Sequence, residues 1–370
     1  MQIEIYNMIP VGENISISLE AVCDSFSSLL WNIEYYKCGA FEVYIAASPR
    51  NIEIFQTGRI VGRDDDKEHF GLIESVELET DAEDGDYLII KGRFLMCLLE
   101  RRIIYPTFNF TKFVSYSQIV MNVVQYNACT TGIRKLPGLV VGCSSGTCWN
   151  AETKLQVSYD NLMEWVYTIC EKIGGTANIR LSKTDNEQYE MIFELSQGTD
   201  RSILQKINPY IIFSDRYNNL LSFTYFTDTS VKKNYAYVLG KGEGEKRKRT
   251  TYFEDSEPAL LDRYEVYVDA KDISDEEQEN GETKPISETE YEELLKEKGK
   301  QSLVPITMKS ESQIAVQSTQ FQYGVDYFVG DFVTVEHHRF GIRQNKIQLI
   351  GMIESFDRNG RNLTPTFKEE

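Results

Sequence analysis

Residues 58–75 read "GRIVGRDDDKEHFGLIES", and residues 330–355 read "GDFVTVEHHRFGIRQNKIQLIGMIES". Both begin with glycine, any residue, an apolar residue and valine. Both end on glycine, an apolar residue and Ile-Glu-Ser, from Gly71 to Ser75 and from Gly351 to Ser355. The second copy carries an extra stretch between these ends. The closing segments alternate as strands do, so the echo predicts two copies of one β unit, far apart in the chain. In that reading Gly71 and Gly351 occupy equivalent strand positions.

Working outward from the first copy, residues 41–94 keep the alternation in "FEVYIAAS", "GLIESVELET" and "YLIIKGRF", the last two joined by the turn-rich "DAEDGD". "LMCLLERR" then reads as a short helix, anchored by Arg101 and Arg102. Two further helices are well signalled. "SYSQIVMNVVQYN" has Ser115 and Gln118 at capping-box spacing, and "YDNLMEWVYTICEKIGG" carries an apolar stripe that stops at Gly174 and Gly175. Around the second copy, from about residue 210, strands return in "YIIFS", "LLSFTYFT", "YAYVLG" and "YEVYVDA". Asp215, Asn218 and Asn219 are expected to shape the turn "SDRYNN" by side-chain hydrogen bonds to backbone. Residues 271–300 break the pattern with a net charge of −6, which reads as a solvated excursion. It ends in a helix capped by Ser287 and Glu290, stapled by Ile286 and Tyr291 and docked by Leu294 and Leu295. The 22 tyrosines and 19 phenylalanines suit half-buried pleated surfaces, so the expected class is β-rich α+β.

Charge and composition limit the function. A formal charge of −18 argues against broad binding of a phosphate backbone, which needs lysine and arginine to displace counterions. It suits a surface past which DNA slides without sticking. The seven cysteines, mostly inside apolar runs and without a C-x-x-C pair, read as reduced thiols of a cytosolically folded chain. No apolar run is long enough to span a membrane, and the start "MQIEIYNMIP" has no secretion-signal pattern, so a soluble chain is expected.

Candidate chemistry is sparse. Of the three histidines, His337 and His338 are adjacent on a strand pattern, so their side chains point to opposite faces and cannot share one metal ion. "GCSSG" (142–146) fits G-x-S-x-G with Ser144 as nucleophile, yet the helix that must follow is missing from "TCWNAETKLQVS". "KGEGEKRKR" (241–249) fits no phosphate-binding fingerprint and reads as the flexible tip of a hairpin, able to meet an acidic neighbour or, less readily, DNA. The runs Asp64–Asp65–Asp66 and Asp275–Glu276–Glu277 read as solvated loops rather than as paired catalytic carboxylates. No metal, cofactor or catalytic residue is expected.

Five blocks in order carry a resemblance: "LLWNIEYYKCGAFEVYI" (29–45), "IIKGRFLMCLLERRIIYPT" (89–107), "FSDRYNNLLSFTYFTDTSVKKNYAYVLGKG" (213–242), "LLDRYEVYVDA" (260–270) and "YGVDYFVGDFVTVE" (323–336). Together they resemble the siphophage tail-tip, or baseplate-hub, proteins of phages and prophages of Gram-positive bacteria. The resemblance implies a virion structural protein made in the host cytoplasm, with two tail-tube-like antiparallel β-barrel modules plus a mixed α+β insert domain. The first barrel is placed at 1–110, the mixed domain at 111–205 plus 245–302, and the second barrel at 206–244 plus 303–370. It further implies a homotrimer whose six modules match a sixfold tube. Its partners would be the distal tail protein, the tail tube and central fibre proteins, with DNA in transient passage. Since the chain ends soon after "NLTPTF", receptor-binding or wall-degrading activity is expected on another polypeptide. Two other readings remain, a wall or ester hydrolase using Ser144 and a carbohydrate-binding module.

Overall fold

The computed structural model describes all residues except 12–13, 82–84, 131, 185–188, 280–281, 305–306, 315–319 and 370. The middle of the expected "DAEDGD" turn lies outside the described residues. The first module comprises β1 (Ile3–Val11), β2 (Asn14–Cys23), β3 (Ser28–Glu34), β4 (Ala40–Ala46), a short helix α1 (Pro49–Ile54), β5 (Ile60–Arg63), β6 (Asp66–Asp81) and β7 (Gly85–Phe94). Its ladder runs β3-β4-β7-β6-β5-β1-β2, antiparallel throughout. The alternation explains the strands. Leu29, Trp31 and Ile33, then Phe41, Val43 and Ile45, then Leu88 and Ile90 are buried, with more open residues between them. Each such side chain contributes about 1.5–3 kcal/mol when removed from water.

The expected helix after β7 is a 3-10 turn, Leu95–Arg101, because Leu95 to Leu99 are buried consecutively and no face is left for water. The middle region follows with β8 (Phe108–Ser115), α2 (Tyr116–Val124), β9 (Leu139–Ser144), β10 (Glu152–Val157), α3 (Leu162–Ile173), β11 (Thr176–Lys183) and β12 (Tyr189–Ser196). Ser115 caps α2 by accepting from the Gln118 N–H, and α3 ends on left-handed Gly174. Both helices share a core with Tyr6, Phe70 and Leu72 of the first module.

The second module holds β13 (Ile212–Ser214) and β14 (Leu220–Asp228). An insert then intervenes, with β15 (Tyr235–Leu239), β16 (Arg249–Tyr252), β17 (Glu265–Asp269), β18 (Glu276–Glu279), β19 (Glu282–Pro285) and α4 (Glu288–Gln301). The module resumes with β20 (Thr307–Ile314), β21 (Phe332–His337), β22 (Ile342–Asp357) and β23 (Gly360–Glu369). Its ladder runs β14-β20-β23-β22-β21-β13.

One domain expectation is corrected here. β15, placed by the sequence in the second barrel, pairs with β16 and β17 in the insert. The helix that ends the acidic excursion docks through Leu294 and Leu295, which with Tyr291 close a small core over Ala236, Val238 and Val268.

The duplication is explicit in the ladders. β6 and β22 are each 16 residues long and β7 and β23 each 10. Ile73 exchanges backbone bonds with the Gly58–Arg59 segment as Leu349 does with Gly330–Asp331. A bulge follows at once in both long strands, between Ile73 and Ser75 and between Leu349 and Gly351. In this register Gly71 is matched by Ile347, and Gly351 by Ser75. The glycines therefore stand four residues apart rather than at equivalent positions, since hairpin bonding sets the register, not the repeated letters. Their surroundings agree. A Cβ on Gly71 would lie 2.3 Å from the Phe41 ring, whereas one on Gly351 meets nothing nearer than 3.5 Å.

The expectation of closed barrels is also corrected. Among the described residues neither ladder returns on itself, because the second edge of β3 bonds to residues 351–356 of β22. A strand edge serves one partner, so the modules are spliced into one continuous sheet.

Candidate functional site

The splice carries a buried cluster of charged side chains. β5 ends on Arg63, whose side chain lies across the seam at 1% exposure. Its Nη1 donates to Oε1 of Glu354 on β22 at 2.9 Å, and Nε and Nη2 grip Asp65 at 2.9 and 2.8 Å. Glu354 is 2% exposed and also accepts from Arg361 of β23. The guanidinium sits 5.5 Å from the Trp31 ring and 4.8 Å from that of Phe356.

A second chain of bonds adjoins it. Trp31 Nε1 donates to Asp66 Oδ2 at 2.9 Å, and Asp66 Oδ2 is 3.0 Å from His69 Nδ1. Burial opposes charge on Asp66, but His69 outweighs it and holds the carboxyl well below the usual carboxylate range. Burial likewise opposes protonation of His69, and the Asp66 carboxylate overcomes it, raising its pKa. β3, β5, β6, β22 and β23 thus converge on one charge network linking the two modules.

The aspartate run therefore differs from its expected role. Asp65 and Asp66 belong to the network, because the short β5–β6 turn folds them back onto Arg63 and Trp31. His69 went unassigned in the sequence. Its spacing of three from Asp66 at the irregular start of β6 is the local signal of the pair, and nothing local signals Glu354, 291 positions from Arg63.

The other singled-out residues lie apart from this network. Asp215 reaches beyond its own turn. Its carboxylate accepts from the backbone N–H groups of His338 and Arg339, fastening the β13–β14 connection to the tip of the β21–β22 hairpin. Asn219 does bridge its turn, accepting from Ser214 N and donating to Ile212 O, and Asn218 takes the left-handed conformation. Arg102 donates to the carbonyls of Arg134 and Lys135, tying the 3-10 turn to a distant loop, while Arg101 is exposed. His337 packs at a tilt against the rings of Phe223 and Phe340, and Arg216 meets His338. Among the described residues no group of His, Cys, Asp and Glu could hold a metal ion.

Ser144 ends β9 exposed, and a 3-10 turn (Thr147–Asn150) follows it instead of the helix an elbow requires. A cavity of about 260 Å³ between the first module and the middle region is lined by His69, Glu68, Cys143 and Ser145 but not by Ser144. The Ser145 hydroxyl donates to Leu195 O rather than to a base. Part of the basic segment pairs within the insert, with Lys241 on Asp275, Arg247 on Asp269 and Lys248 on Glu288, while Lys246 and Arg249 are exposed. Among the described residues no helix is long and apolar enough to cross a membrane.

A family model described as Siphovirus ReqiPepy6 Gp37-like protein matches residues 3–367. No curated protein matches the chain. The fold is similar to the tail protein from Neisseria meningitidis MC58 (TM-score 0.57, 14% identity, covering 100% of this chain and 96% of that one). It is also similar to the 43 kDa tail protein of prophage MuSo2 from Shewanella oneidensis (TM-score 0.54, 12% identity, 100% and 98%). A third similar structure is the prophage tail protein gp18 from Listeria monocytogenes EGD-e (TM-score 0.52, 11% identity, 99% and 94%). At such identities the likeness is one of fold.

Proposed function

Since the chain belongs to the Siphovirus ReqiPepy6 Gp37-like family of phage tail proteins, we propose that it is the hub of the tail tip. In this reading three copies form a ring that joins the tail tube and distal tail ring to the central fibre and leaves a passage for DNA. The observation that carries the proposal is the duplicated β unit, with its long strands, bulges and hairpin bonds in matching register. Two alike modules per chain let a threefold assembly present six similar faces to a sixfold tube. The seam network supports the same reading, because a buried ion pair between modules fixes their relative orientation. The charge of −18 fits a passage that repels the phosphate backbone.

The test is the copy number and location of the chain in purified tails. Quantitative mass spectrometry with labelling of the chain should give three copies per tail, at the distal end. Six copies, one copy, or a location along the tube would overturn the proposal.

A further inference from the structure

The splice within one chain has an unused counterpart on its outer surfaces. Residues 351–356 of β22 pair with residues 29–34 of β3, Ile353 opposite Asn32 and Glu354 opposite Trp31. The ladder match carries residues 351–356 onto residues 75–80 of β6, which pair with β7 alone among the described strands. β4 meets β7 as β20 meets β23, and β3 meets β4 as β14 meets β20, so residues 29–34 are carried onto residues 223–228 of β14. β14 is the terminal strand of the sheet. One open edge of each kind is thus left on every chain.

We infer that residues 75–79 of one chain take residues 224–228 of a second copy as an antiparallel strand, in the register of the splice, with Glu77 opposite Phe226. This deepens the hub reading and rests on it. Both edges are poorly protected. Leu78 is 56% exposed and Phe226 53%, on strands whose second edge bonds to no other described strand over residues 75–79 and 224–228. The contact is head-to-tail, since the two edges differ, and such a contact closes a ring when its rotation repeats that of the internal splice. The two seams differ in chemistry. Leu78 stands where Glu354 stands in the internal splice, so the seam between chains has an apolar side chain in place of the buried acid.

The experiment uses tails assembled from the full-length double variant Glu77→Cys/Phe226→Cys, with exposed Cys143 changed to alanine. Directly opposed positions in an antiparallel pair have Cβ atoms about 4.5–5.5 Å apart, close enough for oxidation to bridge them. Expected are covalent trimers on a denaturing gel from the double variant and monomers from either single variant. A variant Leu78→Asp, at a site exposed in the single chain, should keep the monomer's melting curve and lose at least tenfold in incorporation into tails. Tails that contain three copies per tip but give no bridge between positions 77 and 226 would overturn this register and leave the hub standing. Tails without three copies would overturn the hub itself.

Discussion

Replacing Arg63 by leucine would leave the carboxylate of Glu354 in the seam with Arg361 as its remaining ion-pair partner. A buried acid deprived of its partner is expensive, so urea unfolding of Arg63→Leu should show a loss of about 3–5 kcal/mol. The double variant Arg63→Leu/Glu354→Leu should recover part of that loss, because the buried carboxylate is gone while the orphaned Asp65 and Arg361 keep access to water. The Asp66–His69 pair predicts a pH dependence of defined sign. The pKa of His69 lies above its ordinary 6.5, so its contribution is complete below that pH and fades as pH rises through the raised value. Asp66 lies below its ordinary 3.8, so its contribution is complete above that pH and fades as pH falls through the lowered value. Stability from the pair is therefore greatest between these ordinary values. His69→Phe should remove the decline on the alkaline side, read by melting temperature from pH 6 to 9.

At the scale of elements, local signals were the most legible. The capping box of α4 forms as its spacing requires, with Ser287 Oγ accepting from Glu290 N and the Glu290 carboxylate accepting from Ser287 N. Ser287→Ala should cost about 1 kcal/mol, seen as faster amide exchange in residues 288–301 with the exchange of β22 unchanged. The long strands were legible in kind but not in register. Repeated letters put Gly351 beside Gly71, while the Gly58–Ile73 and Gly330–Leu349 bonds set the true match. The match of letters crosses the bulges, so it sets buried Ile73 against the more open Ile353 and exposed Glu74 against buried Glu354, a mismatch that uninterrupted alternation cannot reveal.

For the whole molecule, the insert is separable. Lys233 and Val304 exchange backbone bonds at 2.8 Å, so its two ends meet, and its core is distinct from that of the modules. Its ties to the middle region include surface pairs such as Lys154–Glu293, each worth about 0–1 kcal/mol. Replacing residues 234–303 by a short turn should therefore leave a cooperatively folding remainder whose melting temperature changes by only a few degrees. The sequence by itself determined the β-rich class, the helix caps and the presence of two related strand units, because these rest on periodicity and on contacts a few residues apart. Only the tertiary structure decided that β3 gives its edge to β22, that Arg63 finds Glu354, and that β15 joins the insert. Those choices depend on which edges and charges meet across hundreds of residues, where burial and backbone pairing select a partner that no local pattern names.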